Sequence, residues 1–374
     1  MIGLDTGHLV YNYGTKLQAY AMQKLLERNG DHVEIIQWHT KNFGLLNGIA
    51  VVLKDISKIK RTFGLKVWLW PKVFARYRAL NSFNIKFHIH KYYGSFEYMN
   101  NATKAYDKVF CGSDQAWLPG NIKNKWYTLE FCEGPIYKAA YAPSFGIDKI
   151  DNNLREDYIS FLSRFDAISV REISGQQIVS DLIGKVVPVV LDPTLLLGRA
   201  DWDELRKESS AKINEPYVFC YLLGHNAQHR EAIKKYAEVT GLKIVNIQHF
   251  AGYCAADEKF GDYNLYKITP QDFINLISRA AYVCTDSFHC TAFSMQYHKN
   301  FSVFHRFKKT DKASTNTRIY SILEQVGLES RIVPDGQEVE VESIDYDAVD
   351  NKLAVLRRSS SEYLDNCLGG NRNV

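Results

Sequence analysis

Short apolar runs that exit into glycine, serine, aspartate or proline, each followed by a segment of helical spacing, recur along most of this 374-residue chain. The first, residues 2–4, leads through a loop ending at Asn12-Tyr13-Gly14 to a helix from about Lys16 to Asn29. Leu17, Tyr20, Ala21, Lys24 and Leu25 fall at helical spacing there, and Gly30 stops the turn. VEIIQW at 33–38 reads as the second strand, and KVFCGSDQAW (108–117), YKAAYAPSFG (137–146), FDAISVREISG (165–175) and VVPVVLDPTLLL (186–197) repeat the design. After a polar linker, RKESSAKINEP (206–216), a second series begins: YVFCYLLG (217–224), KIVNIQ (243–248), AYVCTDSFHCT (281–291) and NFSVFHR (300–306), with helices near 270–280 and 315–326. Strand, helix, strand is the unit of a parallel sheet, because parallel neighbours need a crossover. The pattern therefore predicts an α/β chain of two Rossmann-like domains with a cleft between them. They span 1–205, carrying a helical insertion at 43–100, and 215–345, followed by a C-terminal helix and tail at 346–374.

Composition removes several classes of function. A net charge of +4 is too mild for a surface that tracks phosphates along nucleic acid. The start IGLDTGHLV lacks the charged and apolar regions of a secretory leader, and no run reaches the roughly 18 apolar residues of a membrane span. Seven cysteines, at 111, 132, 220, 254, 284, 290 and 367, show no paired spacing and read as reduced thiols, so a cytoplasmic protein is expected. Between Lys54 and Lys91 ten Lys or Arg face one acid, Asp55, with Phe63, Trp68, Trp70, Phe74, Tyr77, Phe83 and Phe87 interleaved. Two readings stay open: a peripheral helical stretch that meets anionic lipid or a lipid-linked substrate at the inner face of a membrane, or an excursion with aromatics for core and basic residues for the wet face.

Several strand ends carry chemistry-bearing residues. TDSFHCT sets Asp286, Ser287, His289 and Thr291 where a strand gives way to a helix, whose free amides and dipole attract phosphate or carboxylate. An imidazole there can exchange a proton near neutral pH. Capping by Asp286 and Ser287, with His289 as a satisfied histidine, explains the same residues. Arg171 in SVRE can clamp an anion or pair with Glu172. Ser113, Asp114 and Gln115 can hydrogen-bond sugar hydroxyls with Trp117 as a stacking face, or simply form a β-turn, and Asn12, Tyr13 and Gly14 are ambiguous in the same way. Asp201-Trp202-Asp203 reads as a helix start rather than a metal motif, and His88 and His90 lack further ligands, so no metal site is expected. There is no GxGxxG, GxxxxGK[ST], HExxH or GxSxG.

Taken in order, NYGTKLQAYAMQKLL, FCGSDQAW, YAPSFG, SVREISGQQI, VLDPTLLL, YLLG, TDSFHCTAFS and STNTRIYSIL resemble the polysaccharide pyruvyl transferase family over residues 2 to about 328. The resemblance implies a GT-B-like arrangement of the two domains, with phosphoenolpyruvate as co-substrate, no further cofactor, and a sugar or lipid-linked oligosaccharide as acceptor. By resemblance His289 is the general acid and Arg171 its catalytic partner. The donor would lie against Asp286, Ser287, Cys290, Thr291, Asn316 and Arg318 in the C-terminal domain. The acceptor would lie against Asn12, Tyr13, Gly14, Ser113, Asp114, Gln115 and Trp117 in the N-terminal domain. Cys290 stands where the family carries glycine, and its side chain is expected to limit how near the backbone comes to the donor. Competing readings are a GT-B glycosyltransferase that takes a nucleotide sugar into the same cleft, and a non-catalytic glycan-binding protein.

Overall fold

The computed structural model describes residues 1–39, 47–123, 125–307, 316–339 and 342–369. Residues 43–46 of the expected insertion, Ser314 and Thr315 of STNTRIYSIL, and the tail from 370 lie outside them. The first half forms β1 (Ile2–Asp5), β2 (Val33–His39), β3 (Ile89–Tyr93), β4 (Lys108–Cys111), β5 (Tyr137–Ala140) and β6 (Ala167–Ile168). The second forms β7 (Tyr217–Tyr221), β8 (Lys243–Ile247), β9 (Tyr263–Leu265), β10 (Tyr282–Thr285), β11 (Phe301–Phe304) and β12 (Ile332–Val333). The sheets run β3-β2-β1-β4-β5-β6 and β12-β11-β10-β7-β8-β9, the same order read from opposite edges, and every ladder is parallel. This is the doubly wound order of a dinucleotide-type fold, met twice. Its crossovers diverge between β1 and β4 and between β7 and β10, which opens a crevice at each pair's C-terminal ends.

One expected strand is not a strand. VVPVVLDP contributes only the isolated bridge Val170–Val189 at the edge beyond β6. Pro188 has no amide to give, so the run can accept from Val170 and cannot extend a ladder.

The helix after β1, α1 (Tyr13–Glu27), starts three residues before the expected position because the Asn12 side chain accepts from Thr15 N and caps it. Apolar residues from both halves fuse into one core, in which Tyr13 stacks on Phe273 at 5.0 Å and Trp202 meets Phe293 edge-on. The Tyr346–Gly369 helix straps the second half back onto the first sheet: Ser360 accepts from Leu191 N, Tyr363 donates to Ala140 O, and Arg357 bonds Leu195 O and Gln296.

The basic stretch folds as α2 (Asn47–Phe63) and α3 (Trp70–Ser82). Ile59, Phe63, Leu69, Val73 and Tyr77 make a small core of their own, and buried Arg76 donates to the carbonyls of Gln248 and His249 in the second half. Lys16 on α1 is fully buried and donates to His8 O at 2.8 Å and Asn84 Oδ1 at 2.6 Å. Burial brings its ammonium down to about 7 from 10.5. The unfolded chain holds this proton up to 10.5 and the folded chain releases it above 7, so the unfolded state binds more protons in that window and stability rises with pH across it. Denaturant unfolding followed through the same window is expected to show this rise, and Lys16→Met to flatten it.

Candidate active site

The two crevices face one another, and the loops leaving β1, β4, β7 and β10 meet between the sheets. At the end of β10, Ser287 caps the Phe288–Gln296 helix by accepting from Cys290 N. Asp286 accepts from the amides of Leu223 and Gly224 at 2.7 and 2.6 Å. Burial raises its carboxyl, which these two amides oppose. It thus ties β10 to the exit of β7.

His289 sits on the first turn of that helix and packs directly on α1 from the other half. A Cβ added at Gly14 would overlap Nδ1 and Cγ of the ring, so only glycine admits the imidazole here. His289 Nε2 stands 3.7 Å from Asp192 Oδ2, beyond hydrogen-bond reach, and has no protein hydrogen-bond partner.

Beneath the histidine lies a buried ion cluster. Arg171 reaches Asp192 at 2.7 Å, Asp114 at 3.5 Å and Glu172 at 3.9 Å, and its guanidinium covers the Phe288 ring at 4.4 Å. Asp192 also accepts from Ser113 Oγ and from Thr194. Burial would raise the Asp192 carboxyl, but the His289 imidazole and Arg171 outweigh it and hold it well below the usual range. Asp114, at φ 62° and bonded by Thr15 Oγ1 at 2.6 Å, is lowered by His289, Arg171 and Arg318 against its own burial. Arg171 therefore supports the site from below rather than lining it, which corrects its expected place against a substrate anion.

The residues that line the central cavity, of about 50 Å³, include Asn12, Thr15, Asp114, Gln115, Ser287, His289, Arg306 and Arg318. Burial and the neighbouring Arg171 bring the Arg318 guanidinium down to about 10, with Asp114 and Glu172 opposing. Arg306 was passed over in the sequence, although it follows β11 as Arg171 follows β6. A second lobe of about 340 Å³ shares Asn12, Thr15, Asp114, Gln115 and Arg306 and extends over Ser113 to Tyr127. A third, of about 250 Å³, continues from Gly7, Val10 and Tyr127 to His8, Gln37, Trp38 and Trp126. Its aromatic wall is rigid: Trp126 lies between Trp38 and Phe131, and Trp38 Nε1 donates to Gly94 O.

Five expected contacts are not presented to the central cavity. Tyr13 is buried in the inter-half core against Phe273, and Trp117 is buried among Phe145, Phe161 and Phe165, so neither offers a face to a sugar. Cys290 and Thr291 are fully buried: the thiol joins the shared core, where burial pushes it up, and Thr291 Oγ1 donates to Ser287 O. The Cys290 side chain consequently does not enter the central cavity. Asn316 turns its amide to Phe307 O and does not line the central cavity.

Solved structures share the fold at low identity. The UDP-GlcNAc 2-epimerase of Methanocaldococcus jannaschii is 11% identical, with 99% of each chain covered and a TM-score of 0.52. The N-terminal domain of Candida albicans trehalose-6-phosphate phosphatase is 10% identical over 98% of this chain and 96% of its own, also at 0.52. S. aureus MnaA with UDP is 10% identical over 97% of this chain and 90% of its own, at 0.50. No curated protein matches by sequence. The polysaccharide pyruvyl transferase family model matches residues 12–304, from the cap of α1 through β11 and so across both facing crevices, and the chain belongs to that family.

Proposed function

We propose that this protein moves the enolpyruvyl group of phosphoenolpyruvate onto two hydroxyls of one sugar, closing a pyruvate ketal, in the synthesis of a cell-surface polysaccharide or its lipid-linked precursor. The observation that carries this reading is His289, whose Nε2 has no protein hydrogen bond and borders a cavity also lined by Arg306 and Arg318. A donor with a carboxylate and a phosphate needs fixed positive charge, which the two arginines and the amide end of the Phe288–Gln296 helix supply. A proton from His289 to the donor's methylene carbon makes a methyl group and leaves oxocarbenium character at the adjacent carbon. A sugar hydroxyl adds there, and the proton it gives up restores His289. Phosphate then leaves, the second hydroxyl takes its place, and that hydroxyl's proton departs with the phosphate. The two outer lobes suit the acceptor, with polar groups near the chemistry and the Trp38 and Trp126 wall further out.

Incubation with phosphoenolpyruvate and acceptor glycans tests the reading: one phosphate released per ketal, seen as a mass gain on the glycan, supports it. Glycosyl addition from a nucleotide sugar without pyruvylation overturns it in favour of a glycosyltransferase. Gly14→Ala is expected to displace His289 and lower kcat about a hundredfold, the cost of misplacing a reacting group by roughly 1 Å. Steady-state kinetics beside a thermal-unfolding control measure that effect.

A further inference from the structure

The helical stretch after β2 buries one face and leaves the other without a partner among the described residues. On α2, Asp55, Ile59 and Phe63 turn inward, while Ile49, Leu53 and Ile56 share a solvent-facing stripe and are 58%, 61% and 41% exposed. Beyond the helix the chain presents Leu65 at 86%, Val67 at 57% and Trp68 at 59%. Seven of the fifteen large hydrophobic side chains exposed among the described residues fall between 49 and 68, which makes this a patch rather than scatter.

The charges around that patch have one sign. Lys54, Lys60, Arg61 and Lys72 are exposed, and none of them forms an ion pair among the described residues. The one acid of the stretch, Asp55, is buried and accepts from Tyr11 OH. Apolar residues rimmed by uncompensated cations suit a surface that is anionic outside and apolar beneath. A second copy of the chain would bring the same cations against each other, and an acidic protein would leave the apolar stripe unused. Among the described residues no helix is long and apolar enough to cross a membrane, so contact of this kind is peripheral.

The patch is also bolted to the cleft. Tyr11 stacks on Tyr77 of α3 at 4.0 Å and donates to Asp55 of α2. The loop just before it carries Leu9 and Val10, exposed at 48% and 45%, and these line the outer cavity. We infer that α2, the 65–68 segment and the 9–10 loop form a docking surface for an anionic membrane leaflet, with the outer end of the acceptor trough opening beside it. The surface stands independently of which group the enzyme transfers. Joined to that reading, it explains how an acceptor carried on a membrane lipid reaches His289 without leaving the bilayer.

Co-sedimentation of the full chain with vesicles tests this, using phosphatidylcholine alone and phosphatidylcholine mixed with phosphatidylglycerol. The chain is expected to pellet with the mixed vesicles only and to be released by salt. The variant Lys54→Gln/Lys60→Gln/Arg61→Gln is expected to lose about fivefold in partitioning per charge removed, on the order of a hundredfold in all. Leu65→Ser/Trp68→Ser is expected to weaken binding at low salt. All these side chains are exposed, so circular dichroism and melting of both variants are expected to match wild type. Absence of salt-sensitive binding, equal binding by the charge variant, or concentration-dependent dimerisation that Leu65→Ser/Trp68→Ser abolishes would each overturn the proposal. The vesicles contain no sugar and no donor, so failure here leaves the pyruvyl-transfer reading untouched, and the reverse also holds.

Discussion

His289→Ala is expected to lower turnover by about 10²- to 10⁴-fold, the range a positioned general acid supplies, while the protein stays folded. The imidazole Nε2 has no protein hydrogen bond, Arg171 still pairs with Asp192 and Asp114 when the ring's charge is gone, and Gly14 is backbone that needs no support from the ring. The loss should fall on kcat, with the KM for phosphoenolpyruvate close to wild type, because Arg306 and Arg318 remain in the cavity wall. A variant with wild-type turnover removes His289 from the mechanism. Intact cellular function in His289→Ala, with no turnover by the wild-type protein, would favour a non-catalytic glycan-binding protein.

Arg171→Met is expected to have the largest effect on stability. It leaves Asp192, Asp114 and Glu172 without the cation that gathers them, and breaking a buried pair in this way costs about 3–5 kcal/mol. Urea unfolding measures it, and a change below about 1 kcal/mol would show that the cluster does not depend on Arg171. The pH dependence has a definite sign. Burial acts to raise Asp192, but His289 and Arg171 hold it below its unfolded value. Its contribution is therefore complete above about pH 4 and fades as acid protonates the folded carboxyl. The stability gap between wild type and the variant should therefore narrow on acidification, because the carboxylate that Arg171 stabilises is neutralised.

Much of the architecture was legible because parallel strands buried on both faces must be nearly continuous apolar runs, and this chain writes nine of its twelve openly. β3, β9 and β12 were not legible. IHKYY reads as part of a basic stretch, and the other two are three and two residues long, below the reach of any period. The site divided along a physical line. Residues at strand ends were found, since backbone geometry alone puts them at the crevice: His289, Ser287 and Asp114 all border one cavity, whereas Arg318, on a helix, was reached only through the resemblance. What could not be read is which way a side chain turns after the strand ends. Trp117 and Tyr13 look like sugar-facing aromatics in isolation, and only packing from distant segments, Phe161 and Phe273, shows them to be core. Arg171 divides along the same line: pairing with its neighbour Glu172 was legible, but Asp114 and Asp192 reach it only through the fold.

The strap formed by the Tyr346–Gly369 helix sets an order of events during synthesis. Leu191 N, Ala140 O and Leu195 O belong to the first half, yet their partners Ser360, Tyr363 and Arg357 are translated about 160 to 220 residues later. The N-terminal sheet can form while the ribosome is still at work, but that edge stays open to solvent until residues 346–369 emerge. A nascent chain of this protein is thus exposed to chaperones and proteases at its oldest part until its newest part arrives, and yield in cells should depend on those final helical turns more than their distance from the chemistry suggests.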